Sequence, residues 1–377
     1  MKTMMRARTT SFATAMLLLS AGAIAASEFR RGVWIANDAT ALPLPTSGYQ
    51  VYLIGEMHGV QENVTTFEAY LKRLVDSGIR DVAVEEDSVY ERAAEAYVTN
   101  KADTLPAPLC LRAGVLDVVK RFNASRSVDQ LIRIHLVDVD TPASAIRQHL
   151  AILKDLIAAA RSVAIPDVDD IKERGLKAVE DLKRVVPADP RLLAELRTIE
   201  YSIQAYRDGL EIGDRPPFKG SPYLEAREEA IASNLKDVLR TRGCKGVLVQ
   251  YGSDHVSKVR RKDGGPNRDS LFEPMALRLE SGGVKVFSLL TVPLSGTRQW
   301  RGQKEEMLWR PSDASLSTGE SLDQVLSAAQ RPAFLYVDPR LEKIQLPSQD
   351  LNGFRVDAYL LFASGTALAD RCTVRKP

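Results

Sequence analysis

Short unbroken apolar runs, each closed by glycine or acidic residues, alternate along this chain with longer stretches in which apolar residues return every three or four positions. The first kind of run is the signature of a buried strand and the second that of an amphipathic helix. Val51 to Ile54 is the first clear strand, bounded by Gly48 and Gly55. Phe67, Leu71, Leu74 and Val75 then recur at helical spacing, and Gly78 stands where a C-terminal cap belongs. Ile79 to Val84 forms a second strand, closed by Glu85, Glu86 and Asp87. Strand, helix and strand within about 35 residues predict a parallel pair joined by a crossover helix.

Ile132 to Val139 is a third strand, ending at Asp138 and Asp140. Two helical stripes follow, Ile146, Leu150, Leu153 and Ile157, then Leu192, Leu196, Ile199, Ile203, Tyr206 and Leu210, separated by Pro187 and Pro190. Steps of three and four in both stripes are those of antiparallel helices packed side by side. Ser221-Pro222 opens a helix whose apolar face is Ile231, Leu235, Val238 and Leu239 and which Gly243 closes. Gly246 to Tyr251 and Val284 to Leu290 are further strands, and residues 320–362 add a helix and the strand runs "AFLYV" and "AYLLF". The charged stretch 258–269, "KVRRKDGGPNRD", reads as a solvated loop. The pattern as a whole predicts an α/β fold with a mostly parallel central sheet flanked by helices. Residues 26–377 are expected to form one α/β domain, with a helical insertion over the C-terminal edge of the strands at about 144–215 and a C-terminal extension at about 298–377.

Composition changes this picture at the N-terminus. Of 377 residues 45% are hydrophobic and 27% charged, which suits a chain with a substantial core. Lys2, Arg6 and Arg8 precede the apolar stretch Phe12 to Ile24, and Ala23-Ile24-Ala25 is a small-x-small cleavage site. These are the parts of a signal peptide spanning residues 1–25, with export to the periplasm or medium as the expected destination. The stretch is shorter than the ~20 apolar residues of a membrane span, so no stable membrane insertion is expected once it is removed. No cysteine stands at the cleavage site to carry a lipid. Cleavage removes three basic side chains and no acidic one, turning a formal net charge of +2 into about −1. The electrostatic case for a nucleic-acid partner disappears with it. Cys110, Cys244 and Cys372 lack metal-type spacing.

In an open parallel sheet, ligands bind beyond the carboxyl ends of the strands, and the conspicuous polar residues fall there. Glu56 and His58 follow the first strand, Glu85 the second, Asp140 the third and His255 the strand ending at Tyr251. His135 and His149, the other two histidines, lie inside a strand run and a helix, where packing or exposure explains them. The helix from Pro222 leads into a strand and so runs antiparallel to it, bringing Arg227 to the same edge. Arg227 and Asn234 are seven residues apart, close to two helical turns, and share the inward face with Ile231. A cation facing inward needs a buried partner, and Glu56, Glu85 and Asp140 are the candidates.

A carboxylate beside an imidazole fixes its tautomer and makes it a positioned general base. His58 suits that role, with Glu56 or Glu85 as orienter, and His255 suits a second acid or base or, with Arg227, an oxyanion support. Glu56, His58, Glu85 and His255 also form a credible ligand set for a divalent metal such as zinc, manganese or iron. A serine hydrolase is disfavoured, because no Gly-x-Ser-x-Gly elbow occurs.

"IGEMHGVQE", "GIRDVAVE", the strand ending at Asp140, "REEAIASN", "YGSDH" and the late "VDAYLLF" together resemble the successive blocks of the erythromycin esterase-like proteins, over about residues 48–295 with a weaker tail. That group extends to the haem-binding ChaN lipoproteins and the TraB/Tiki proteins. The resemblance implies a helix-enclosed α/β sheet with a cleft at the Gly-Glu…His edge and a small-molecule substrate or ligand. His58 matches the histidine taken to activate water in the esterase branch, and Glu56, Glu85 and His255 match other cleft residues. Two features depart from the esterases. The motif is Glu-x-His where esterases have Glu-x-x-His, which is nearer to ChaN. The basic residue expected early in the next helix is replaced by Phe67 and Glu68, with Lys72 and Arg73 as the first cations. Two classes of function follow, an exported hydrolase of an ester or amide bond and a binding protein for haem or a similar ligand.

Overall fold

The computed structural model describes residues 27–139, 149–154, 173–174, 176–185, 190–207, 221–241, 243–262, 271–300, 303–307, 310–328, 334–347 and 349–369. The expected signal segment, Asp140, Cys372, and parts of the expected insertion and of the 258–269 loop lie outside them.

Nine strands build one sheet among the described residues: β1 (Ser27–Arg30), β2 (Val33–Ala36), β3 (Val51–Glu56), β4 (Asp81–Asp87), β5 (Arg133–Asp138), β6 (Val247–Gly252), β7 (Val286–Pro293), β8 (Phe334–Val337) and β9 (Ala358–Phe362). Their order across the sheet is β1-β2-β8-β9-β7-β3-β6-β4-β5. From β9 to β5 every pairing is parallel, whereas β8 joins β9, β2 joins β8 and β1 joins β2 antiparallel. The fold is therefore α/β with a mostly parallel sheet. Residues 334–362, expected as part of an extension, supply two of its strands. The pair β1–β2 completes that side.

Helices cover both faces because alternate strand residues point to opposite sides. Tyr52, Ile54, Val82 and Leu248 pack with Phe67, Leu71 and Leu74 of α1 (Gln61–Asp76), Ala94 and Val98 of α2 (Glu91–Val98) and Val115 and Val119 of α3 (Ala113–Asn123). Val51, Leu53, Val247 and Val249 pack instead with helices from the later part of the chain. At the end of α1, Gly78 adopts φ +86° and donates its N–H to Val75 O, as the periodicity predicted.

Of the insertion, the segment 149–154, α4 (Leu176–Val185) and α5 (Pro190–Arg207) are described. Leu192, Leu196 and Ile199 are buried. α5 packs on α6 (Ser221–Arg240), which with α7 (Met275–Ser281) covers the second face through Ile231, Leu235, Met275 and Leu279.

His149 ties this layer to the sheet. It is fully buried, with Nε2 2.8 Å from Asp87 Oδ1 at the end of β4 and Nδ1 against Glu195 of α5. Burial opposes its charge, but the hydrogen bonds to Asp87 and Glu195 outweigh that and push its pKa up to about 9. The clasp therefore stabilises fully below the ordinary histidine value of about 6.5 and loses its contribution as pH rises through about 9. In urea denaturation across that window, the stability gap between wild type and His149→Gln is expected to shrink as pH rises. A gap that stays constant would contradict the assignment.

Candidate functional site

Strand β3 continues two residues beyond its apolar run, so Glu56 is its last residue and His58 sits in the turn that follows. Two glycines shape that turn. A Cβ on Gly55 would lie 2.4 Å from a Val256 methyl, so the loop after β6 can close over β3 only because Gly55 has no side chain. Gly59 has φ +85°, a Cβ there would lie 1.7 Å from Gln299 O, and its own carbonyl accepts the N–H groups of Gln299 and Leu368 at 2.8 and 2.9 Å. Buried Asn63 of α1 donates to Met57 O at 2.8 Å, and the Thr291 hydroxyl lies between Asn63 Oδ1 at 2.8 Å and Gly55 O at 2.9 Å. The turn holding His58 is thus braced from both flanks.

Glu85, near the end of β4, is the hub of the site. Its Oε2 accepts the Gly252 N–H at 2.7 Å and Arg112 Nη2 at 3.1 Å, and lies 3.4 Å from His58 Nε2. Its Oε1 accepts from Arg227 Nη2 at 3.2 Å and lies 3.8 Å from His255 Nε2. Burial opposes the ionised form, but His58, Arg112, His255 and Arg227 together hold the carboxyl far below the usual carboxylate range. The far nitrogen of each imidazole meets another glutamate: His58 Nδ1 is 3.0 Å from Glu56 Oε1, and His255 Nδ1 is 2.5 Å from Glu228 Oε1. The resulting chain of contacts is Glu56, His58, Glu85, His255, Glu228. Its most exposed member is His58, with 23% of its side chain accessible.

Glu56, His58, Glu85, Arg227 and His255 thus come together, from segments up to two hundred residues apart. Asp140 lies outside the described residues; among them Arg227 also binds Asp138, by Nε at 2.9 Å and by Nη2. Asn234 faces inward as expected but stands below the cluster. It donates to Val137 O at 3.0 Å and accepts from Arg197 Nη2 at 2.9 Å, fastening α6 to β5 and α5. His135 is remote, bonded to Asp81 at 3.0 Å at the start of β4.

Arg112 is the residue the sequence reading missed. It occupies the 3-10 turn Ala107–Arg112 that leads into α3, 7% exposed, and its Nη1 bonds Glu56 Oε1 at 2.9 Å while Nε bonds Glu85 O at 3.1 Å. It supplies the guanidinium absent from the start of α1. Gln250, facing the same side of the sheet, donates to the other oxygen of Glu56. The next carboxyl, Glu86, is pushed up to about 8 by burial, with Arg112 opposing and Asp138, Glu85 and Asp87 adding to the rise.

These residues do not fit a divalent metal. Among the described residues no group of three His, Cys, Asp or Glu side chains is arranged to hold an ion, and Arg112 and Arg227 already neutralise the carboxylates that the expected ligand set required.

No protein-family model and no curated protein matches the chain. Solved structures do match in fold. A Bacillus cereus protein is 13% identical with a TM-score of 0.62, covering 91% of this chain and 97% of its own. Erythromycin esterase EreC, solved as a mutant in its open conformation, is 13% identical with a TM-score of 0.59, covering 87% of this chain and 93% of its own. The haem-binding ChaN of Campylobacter jejuni, 16% identical, overlaps 64% of this chain and 81% of its own with a TM-score of 0.26. At these identities the likeness is one of fold, and the fold is that of the erythromycin esterase.

Proposed function

We propose that this protein is an exported hydrolase that cleaves an ester or amide bond with water activated by His58. The single observation that carries this reading is the arrangement of His58 between two carboxylates at the strand ends. With the Nδ1 proton hydrogen-bonded to Glu56 at 3.0 Å, beside Arg112 Nη1 at 3.2 Å, Nε2 is the basic nitrogen. When Nε2 takes a proton from water, the hydroxide equivalent bonds to the carbonyl carbon. The imidazolium then stands between the anions of Glu56 and Glu85. Arg112 and Arg227 keep those carboxylates charged within a largely dry site. The fold likeness to an erythromycin esterase supports the reaction class.

The basic start, apolar stretch and Ala23-Ile24-Ala25 site support export. Among the described residues no helix is long and apolar enough to cross a membrane.

Hydrolysis in heavy-oxygen water tests the reaction. With a panel of carboxylic esters and amides, the released acid is expected to carry one solvent oxygen and the released alcohol or amine none. Absence of turnover across the panel would overturn the proposal.

A further inference from the structure

His255 is the deeper of the two imidazoles around Glu85. Its Nδ1 lies 2.5 Å from Glu228 Oε1, and Glu228 has no exposed surface. The other oxygen of Glu228 accepts the N–H of Met275, the first residue of α7. A carboxylate taken so far out of water needs a cation or a donor, and its neighbour Arg227 is committed to Asp138 and Glu85. His255 Nδ1 stands at ion-pair distance from that carboxylate without the alignment of a hydrogen bond, so it is as a charged imidazolium that His255 meets the need. Its Nε2 is turned towards Glu85 Oε1, 3.8 Å away. Around the ring stand Glu228 and Arg227 from α6, Glu85 from β4 and the edge-on ring of Tyr251, its centroid 4.9 Å away. Burial works against a charged imidazole here, yet Glu228 leads the groups that raise its pKa.

The two imidazoles are therefore built alike and face each other. Each has Nδ1 on its own glutamate and Nε2 beside one oxygen of Glu85. Two such groups on one carboxylate suit a reaction in which one proton is taken and another given.

We propose that Glu228 is the positioning residue that holds His255 as a proton donor, so that the site is suited to substrates whose leaving group must be protonated as it departs, such as alkyl esters. The proposal rests on the hydrolytic reading above. As the oxygen of water bonds to the acyl carbon, its proton passes to His58 Nε2. The carbon–oxygen bond to the alcohol breaks, its electron pair stays on oxygen, and that oxygen takes the proton of His255 Nε2. The proton left on His58 returns through solvent to His255, which restores both groups and leaves an acid and an alcohol.

Glu228→Gln tests this in the full-length protein. The glutamine oxygen can keep the Met275 N–H, but its amide nitrogen donates to His255 Nδ1 and moves the imidazole proton to Nε2 in a neutral ring. The kcat on an alkyl ester is expected to fall at least about 100-fold, the scale of general-acid catalysis, against less than about 10-fold on a para-nitrophenyl ester, whose phenolate leaves unaided. Glu228→Asp, which keeps the charge, should recover part of the alkyl-ester rate. Nitrogen-edited histidine NMR should find Nδ1 of His255 protonated in the wild type and unprotonated in Glu228→Gln. Equal slowing of both esters, or a His255 spectrum that does not change, overturns the proposal. If the wild type hydrolyses neither ester, the hydrolytic reading falls, while the NMR comparison still judges whether Glu228 sets the state of His255.

Discussion

Arg112→Met is expected to lower stability by about 3–5 kcal/mol, the cost of removing one partner from a buried ion pair. Arg112 is almost wholly buried and reaches Glu56 at 2.9 Å, Glu85 at 3.1 Å and Glu86 at 3.5 Å. Methionine fills much of the same space but returns no charge. Glu56 would then depend on His58 and Gln250, and Glu85 on Arg227, the histidines and the Gly252 N–H. Arg112→Lys should recover only part of the loss, because one ammonium cannot serve two carboxylates and a carbonyl with the planar fork of a guanidinium. Urea denaturation of the three proteins checks this. A loss below about 1 kcal/mol, the value of an exposed pair, would mean that Arg112 is not the buried bridge described here.

His58→Ala has its largest expected effect on turnover rather than on folding. Removing a positioned general base lowers rates by about 100- to 10,000-fold. The side chain is 23% exposed and lies in a turn, so the fold survives its truncation better than it survives loss of Arg112. His135→Gln is the appropriate control, since His135 lies at the other end of the sheet against Asp81. His149 is unsuitable, because its ring is fully buried between Asp87 and Glu195. Initial rates on a hydrolysed ester are expected to collapse in His58→Ala and to hold in His135→Gln. Retained turnover in His58→Ala would remove His58 from the role of base.

How much of this was legible in the sequence follows from geometry. The central parallel strands announce themselves because a strand buried on both faces has to be an unbroken apolar run, as Val51–Ile54 and Gly246–Tyr251 are. Polar residues that close such runs must emerge at the carboxyl edge, so Glu56, His58, Glu85 and His255 could be placed from their positions alone. Arg227 was legible because helical phase sets it on the inward face with Ile231. Glu228, one residue on, is turned by about 100° from it, and nothing in that stripe marked it as buried. Arg112 gave no periodic signal because it sits in a 3-10 turn ahead of its helix. The departure at Phe67 and Glu68 was the available clue, since a missing cation leaves carboxylates that another cation must balance. β1 and β2 are only four residues each, and follow closely in sequence on the apolar N-terminal stretch, which dominates the pattern there. The metal set carries a related ambiguity: the spacing of acids and histidines is the same whether an ion or two guanidiniums neutralise them.

Glu85 joins the two imidazoles, and histidine-resolved NMR of Glu85→Gln tests that without any substrate. The chain has only four histidines, so each ring can be followed. The signals of His58 and His255 are both expected to move on loss of the shared carboxylate, while that of His135 stays in place. A spectrum in which only one of the two responds, or neither does, would contradict a common site.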